Sequence, residues 1–84
     1  MQVNQVRILL FATLRDRAGT RSLEMQIPVP TNVEDFKRLL GERFPDLYGL
    51  MGHMLIAVNH EYALDDAVIP LGAEVALFPP VSGG

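Results

Sequence analysis

The chain has 84 residues, a formal net charge of −3 and no cysteine, which excludes disulfides, thiolate metal ligands and thiol catalysis. A chain of this length has room for one hydrophobic core, so we predict a single domain over residues 1–84, with residues 79–84 as a flexible C-terminal tail. The mildly acidic balance argues against nucleic acid as the main partner. No apolar run reaches the ~20 residues that cross a bilayer, no signal-peptide pattern is present and the absence of cysteine agrees with a reducing cytosol, so we expect a cytoplasmic protein.

The first part of the chain predicts two strands around a helical turn. Residues 6–12 place apolar side chains on both faces of a strand, and residues 21–27 alternate apolar and polar side chains. Between the two strands, Thr13 is a candidate helix cap and Gly19 is a candidate left-handed stop.

A single main helix is predicted next. Residues 31–34 read Thr-Asn-Val-Glu, the pattern of a capping box in which Thr31 and Glu34 bond each other's amides. The helix is expected to run to about Phe44 and to bury one apolar stripe, which comprises Val33, Phe36, Leu40 and Phe44. Pro45 ends the helix, and the glycine-dotted residues 46–53 predict a loop.

The last part predicts three further strands, at residues 55–59, 62–64 and 74–78. One amphipathic helix beside a mixed sheet is the two-layer arrangement of an α+β fold. A crossover through the helix would bring the first and last strands, the most apolar of the chain, together in the middle of the sheet.

Side chains suited to catalysis are scarce. The two histidines, His53 and His60, have no serine and acid set around them, and the spacing of His60, Glu61, Asp65 and Asp66 matches no metal-ligand pattern. We interpret that segment as a polar loop, and we expect no bound cofactor or metal.

The remaining candidate for chemistry is the C-terminal Gly83-Gly84. Glycine has no Cβ, so such an end can pass through a channel too narrow for other residues. Its carboxylate is a poor electrophile, but adenylation with ATP gives it a good leaving group. A persulfide or sulfide can then displace AMP and leave a C-terminal thiocarboxylate. With no cysteine in the chain, this terminus is the only credible carrier of transferable sulfur.

Two stretches give the chain a family resemblance. Residues 10–19 read Leu-Phe-Ala-Thr-Leu-Arg-Asp-Arg-Ala-Gly, and residues 74–84 read Glu-Val-Ala-Leu-Phe-Pro-Pro-Val-Ser-Gly-Gly. Both are similar to signatures of the small subunit of molybdopterin synthase, the MoaD family. Residues 57–59 and 71–74 also fit the pattern, so the resemblance covers essentially the whole chain.

The resemblance implies a β-grasp fold like that of ubiquitin and a role as the sulfur-donor subunit of a heterotetrameric synthase. An E1-like enzyme would adenylate Gly84, and a sulfur donor such as a cysteine desulfurase would supply the sulfur. The tail would then enter the active site of the large subunit and give its sulfur to cyclic pyranopterin monophosphate, which becomes molybdopterin. The catalytic side chains would belong to the large subunit.

The family pattern also implies residues that contact partners. Phe11, Arg15, Tyr62 and Phe78 fall at contact positions, although the two phenylalanines lie on strands and also fit a core, and Arg15 also fits a solvated surface. The tail residues Pro79, Pro80, Val81 and Ser82 would connect this surface to Gly83 and Gly84.

Two other functions remain open at this point. One is a sulfur carrier for another pathway, such as thiamin synthesis or tRNA thiolation. The other is a ubiquitin-like modifier joined to target lysines, or a plain interaction module without activation. The Phe-Pro-Pro sequence before the tail favours the synthase subunit.

Overall fold

The computed structural model describes residues 2–79, which form one sheet and three helical segments. The strands are β1 (Val3–Leu10), β2 (Ser22–Pro28), β3 (Leu55–Val58), β4 (Glu61–Tyr62) and β5 (Glu74–Phe78). The helices are α1 (Thr13–Ala18) and α2 (Val33–Arg43), and a 3₁₀-helix spans Pro45–His53. Among residues 2–79, no helix is both long and apolar enough to cross a membrane.

The sheet has five strands in the order β2-β1-β5-β3-β4. β1 and β5 lie side by side in the middle and are parallel, with Ile8 opposite Val75 and Leu10 opposite Leu77. The other neighbouring pairs are antiparallel. The predicted central position of the first and last strands is therefore confirmed, and the architecture is α+β as expected.

The core lies between the sheet and α2. Val6, Ile8 and Leu10 alternate with more exposed residues along β1, so every second side chain of this strand is buried. The helix contributes its predicted stripe, because Val33, Phe36 and Leu40 are fully buried and Phe44 packs at the edge of the cluster. The face of the sheet that contacts α2 is called the inner face below.

The predicted capping box at the start of α2 is wrong. The side chain of Asn32, not Thr31, accepts the amide of Asp35 at 2.8 Å. The Thr31 hydroxyl instead donates to the carbonyl of Pro28, and the amide of Glu34 donates to the carbonyl of Asp65. The first-turn amides of α2 are thus satisfied partly by a loop distant in sequence, which a local pattern does not reveal.

The N-terminal cap predicted for α1 is also wrong, whereas the C-terminal stop predicted at Gly19 is confirmed. The N-cap position is Ala12, which has no side-chain hydrogen bond, and Thr13 is the first helical residue. Gly19 has φ 75° and ψ 15°, the left-handed conformation that stops a helix, and its amide donates to the carbonyl of Arg15.

The segment predicted as a loop at residues 46–53 is instead the 3₁₀-helix. Leu47 and Leu50 are three residues apart, and this spacing places both side chains on one side of a 3₁₀-helix. Leu47 is fully buried, and Leu50 packs against the core. Burial of these two leucines therefore stabilises a helical segment where the glycines had predicted a loop.

A buried polar side chain on β1 positions the approach to β5. Asn4 is 3% exposed, its Nδ2 donates to the carbonyl of Pro70 at 2.9 Å, and its Oδ1 accepts the amide of Gly72 at 2.8 Å. Gly72 has a φ of 69°, which favours glycine. Since both ends of the amide are paired, the turn before β5 is fixed to β1.

Candidate docking face at the base of the tail

The face of the sheet turned away from α2 is called the outer face. Along β5, Val75 and Leu77 are buried on the inner face, whereas Ala76 and Phe78 lie on the outer face and are only half-buried. In the antiparallel register Ala76 is opposite Ala57, and Ala57 is opposite Tyr62. The outer face is therefore apolar over β5, β3 and β4, although none of the three helical segments contributes to its groove.

Three aromatic side chains meet on this face and are called the aromatic patch: Phe11, Tyr62 and Phe78. The rings of Phe11 and Phe78 stack with centroids 4.7 Å apart and planes at 11°, and Tyr62 lies 6.3 Å from Phe78 at 57°. Phe11 is 41% exposed and Tyr62 is 75% exposed. A free surface with two such large apolar groups is typical of an interaction site.

The position of each ring follows from the backbone. The parallel pairing of β1 with β5 places Phe11, just after Leu10, beside Phe78. The chain then turns sharply at Ala12, which has a positive φ of 53°, and the amide of Leu14 donates to the carbonyl of Phe11 at 3.1 Å. Phe11 is therefore held between the strand end and the start of α1.

Tyr62 is placed by a two-residue hairpin turn. Asn59 and His60 have φ values of 50° and 72°, as a type I′ turn requires at both central positions. The Oδ1 of Asn59 accepts the amide of Glu74 at 2.9 Å, which ties the turn to β5. The hairpin therefore returns the chain so that Tyr62 lies opposite Ala57 on the outer face.

The aromatic patch lines a shallow groove of about 320 Å³. Its apolar floor includes Leu9, Ala57 and Ala76, and its polar rim is formed by His60 and Glu74. The Nε2 of His60 lies 3.7 Å from the Oε1 of Glu74, and the His60 side chain is 85% exposed. An apolar centre with a polar rim is the usual organisation of a protein–protein interface.

Basic side chains border the other side of Phe11. Arg15 and Arg21 line a second groove together with Leu9, Leu10 and Phe11. The Nε of Arg15 is 3.8 Å from Asp16, a partly exposed pair that contributes little to stability. The Arg15 guanidinium is therefore available to a partner carboxylate.

The structure thus brings together Phe11, Tyr62 and Phe78 and places Arg15 at the edge, and Pro79 directly follows β5. Pro80, Val81, Ser82, Gly83 and Gly84 lie outside the described residues. Sequence reasoning did not include His60 and Arg21 among the predicted partner-contact residues. The Asn-His pair between two strand patterns is a type I′ turn signal that points to His60. No local signal marks Arg21, which approaches Phe11 only through the pairing of β2 with β1.

No cluster suited to metal binding occurs within residues 2–79. Over the same residues, the polar groups at the groove do not form a nucleophile and base pair.

A mixed five-stranded sheet with parallel central strands and one long helix on its inner face defines a ubiquitin-like β-grasp protein. Within that class, the chain belongs to the ThiS family, whose model matches residues 8–84. The family resemblance and the β-grasp fold predicted from the sequence are both confirmed.

Individual relatives agree with this assignment. Over 80 residues the chain is 31% identical to the molybdopterin synthase sulfur carrier subunit of Arabidopsis thaliana, with 95% of this chain and 83% of the relative covered. The human protein of the same name is 32% identical, with 95% and 94% covered. The crystal structure of Haloferax volcanii small archaeal modifier protein 1 superposes with a TM-score of 0.82 at 29% identity, covering 93% of this chain and 99% of that chain.

Proposed function

We propose that this chain is the sulfur-carrier small subunit of a molybdopterin synthase and that Gly84 carries the sulfur. The observation that supports this most strongly is the similarity to molybdopterin synthase sulfur carrier subunits over nearly the whole chain. The family match extends through residue 84 and includes the tail. The aromatic patch at the end of β5, immediately before Pro79, gives a second and independent reason to expect a partner at the base of the tail.

The proposed chemistry uses the main-chain carboxylate of Gly84. One carboxylate oxygen attacks the α-phosphorus of ATP and releases pyrophosphate, which gives an acyl-adenylate. A sulfide or persulfide sulfur then attacks the carbonyl carbon, and the bond to AMP breaks. Where a persulfide is the donor, a second thiol reduces the resulting disulfide and leaves the thiocarboxylate. Such a terminus transfers its sulfur to cyclic pyranopterin monophosphate within the large subunit, so this chain needs no catalytic side chain of its own.

Two protein partners follow from this chemistry. An E1-like enzyme must receive Gly84 with ATP, and the large synthase subunit must receive the thiocarboxylate. Both must hold the body of the chain while the tail is in use, and the aromatic patch with Arg15 is the surface nearest to its start. Exposed aromatic and arginine side chains are the residue types that dominate interface energetics.

The tail assignment is tested by deleting Gly84. We expect the deletion variant to keep the unfolding temperature of the wild type. It should not support sulfur transfer, because its terminal carboxylate would no longer reach the partner's active site. The measurements are thermal unfolding and product formation with the activating enzyme, ATP, a cysteine desulfurase and the large subunit. Intact-mass analysis of the wild-type chain should show replacement of one oxygen by sulfur. Wild-type turnover by the deletion variant would reject Gly84 as the carrier.

A second candidate function is that of a ubiquitin-like modifier. It is favoured by the similarity to small archaeal modifier protein 1, whose TM-score of 0.82 extends over almost the whole of both chains. A modifier would also require an activated C-terminus, but its carbonyl would end in an amide with a target lysine. Incubation of the epitope-tagged chain with ATP and a cell extract separates the two functions, because a modifier forms heavier covalent conjugates that depend on ATP and a dedicated carrier does not.

A further inference from the structure

The chain has a single lysine, and the structure holds it in place. Lys37 lies in the second turn of α2, and its side chain is only 18% exposed. Its Nζ is 2.9 Å from the Oδ1 of Asp65. Apart from the histidines, all other basic side chains of the sequence are arginines.

Asp65 is itself fixed relative to α2. Its carbonyl accepts the amide of Glu34 at 3.0 Å, and the carbonyl of Ala67 accepts the amide of Val33 at 2.9 Å. The amide of Ala67 also donates to the carbonyl of Leu64, which closes the loop on itself. These bonds fix the backbone at residues 64–67 relative to α2. The Asp65 carboxylate is therefore held within hydrogen-bond distance of the Lys37 ammonium.

This arrangement matters for a protein whose C-terminus is activated. An acyl-adenylate reacts with amines as well as with sulfur: the amine nitrogen bonds to the carbonyl carbon, the bond to AMP breaks and a proton is released. A second copy of the chain would offer its lysine as such an amine. Arginine is a far weaker acceptor, since its guanidinium stays protonated and delocalised.

We infer that the Lys37–Asp65 pair makes the single lysine of this chain a poor acceptor for the activated C-terminus of another copy, so that lysine acylation diverts fewer activated copies from sulfur transfer. The inference rests on the proposed activation of Gly84. Two features of Lys37 carry it: the ammonium is engaged by a positioned carboxylate, and most of the side chain is covered. The sequence adds that no other lysine replaces it as an acceptor.

The first test measures the reactivity of Lys37 without any enzyme. The folded full-length chain is treated with an amine-acetylating ester, and the rate at each lysine is followed by peptide mass mapping. The matched comparison is Arg43→Lys, which introduces an amine at an exposed position on the same helix. We expect Lys37 to react at least about fivefold more slowly than the introduced amine. Equal rates would overturn the inference.

Substitution of Asp65, which pairs with Lys37, tests the cause of the slow acetylation. Asp65→Asn removes the charge and keeps the loop backbone, so it should raise the acetylation rate of Lys37 by about twofold to fivefold. Circular dichroism at the same temperature verifies that the variant is folded. A folded Asp65→Asn chain with an unchanged Lys37 rate would show that the carboxylate does not hold the amine back.

The second test adds the activating enzyme and ATP. Digestion after glutamate leaves Val75–Gly84 as a branch on any lysine that has been acylated, and mass mapping identifies that lysine. We expect the branch on the introduced amine of Arg43→Lys and severalfold less on Lys37 of the wild type. Equal branching on Lys37 would reject the inference. Absence of pyrophosphate release from every variant would reject the proposed activation itself, whereas equal acetylation rates reject only the protection of Lys37.

Discussion

The two faces of the sheet differ in what covers their apolar side chains. On the inner face, Ile8 and Val75 are fully buried beneath α2, whose Phe36 is also fully buried. On the outer face, Phe11 remains 41% exposed and Tyr62 75% exposed, and the groove between them is open. Within residues 2–79, α2 covers the inner face and no helical segment lines the groove on the outer face.

This difference separates stability from recognition within a single strand. Alternate residues of β5 lie on the two faces, with Val75 and Leu77 in the core and Ala76 and Phe78 on the candidate docking face. A substitution on the inner face removes buried contacts, whereas one on the outer face mainly removes contacts that a partner would make. Substitutions on opposite faces should consequently affect different measurements.

The largest expected effect is on the inner face. Phe36→Ala empties a fully buried position on α2 and should lower the free energy of unfolding by about 3–5 kcal/mol. A typical domain has a total of only ~5–15 kcal/mol, so a large fraction of this variant would be unfolded. The measurement is urea denaturation, with Tyr62→Ala as the outer-face control, for which we expect a change within about 0.5 kcal/mol. Similar midpoints for Phe36→Ala and the wild type would contradict the assignment of the core.

An intermediate effect is expected on the outer face. Phe78→Ala removes the ring that contacts both Phe11 and Tyr62 and should weaken binding of the large synthase subunit by more than ~1 kcal/mol. Isothermal titration of the large subunit into the folded variant measures this loss. Leu71→Ala is the control, because Leu71 is 69% exposed and does not line the groove. If both variants bind as the wild type does, the aromatic patch is not the docking surface.

The smallest expected effect is at the rim of the outer face. His60 has a φ of 72° at a turn position that favours glycine, so His60→Gly should raise the free energy of unfolding by about 0.5–1 kcal/mol. Thermal unfolding of Asn59→Gly gives the comparison, because that variant also relieves a positive φ but loses the hydrogen bond from the amide of Glu74. We expect no gain for Asn59→Gly. A destabilised His60→Gly chain would mean that the imidazole contributes contacts that outweigh the strain.

Patterns with a short range in sequence predicted much of the fold. The alternation in residues 21–27 and 74–78 and the stripe of Val33, Phe36 and Leu40 each reflect the period of one element, so they are visible without knowledge of its neighbours. The failures include the ends of the helices and residues 46–53, where a loop was predicted and the structure has a 3₁₀-helix. Thr31 was predicted to cap α2, but carbonyls of residues 65 and 67 and the side chain of Asn32 satisfy its first turn.

The candidate site was predicted in part for a different reason. Phe11, Arg15, Tyr62 and Phe78 were selected by resemblance to a family, and the periodicity of strands alone leaves Phe11 and Phe78 equally suited to a core. The stacking of Phe11 on Phe78 depends on the parallel pairing of β1 with β5, which joins residues from opposite ends of the chain. Arg21 was missed because it approaches this surface only through strand pairing, whereas His60 lies in a two-residue turn that has a local sequence signal.

The sequence by itself determined the α+β class, the apolar stripe of α2, the absence of thiol chemistry and the similarity of residues 74–84 to a sulfur-carrier tail. These properties depend on composition or on contacts between near neighbours along the chain. Only the tertiary structure decided which face of the sheet remains uncovered, how the loop at Asp65 holds Lys37 and how three aromatic rings meet beside the last strand. Such contacts join residues far apart in sequence, and their geometry is set by strand register and packing, which no local pattern encodes.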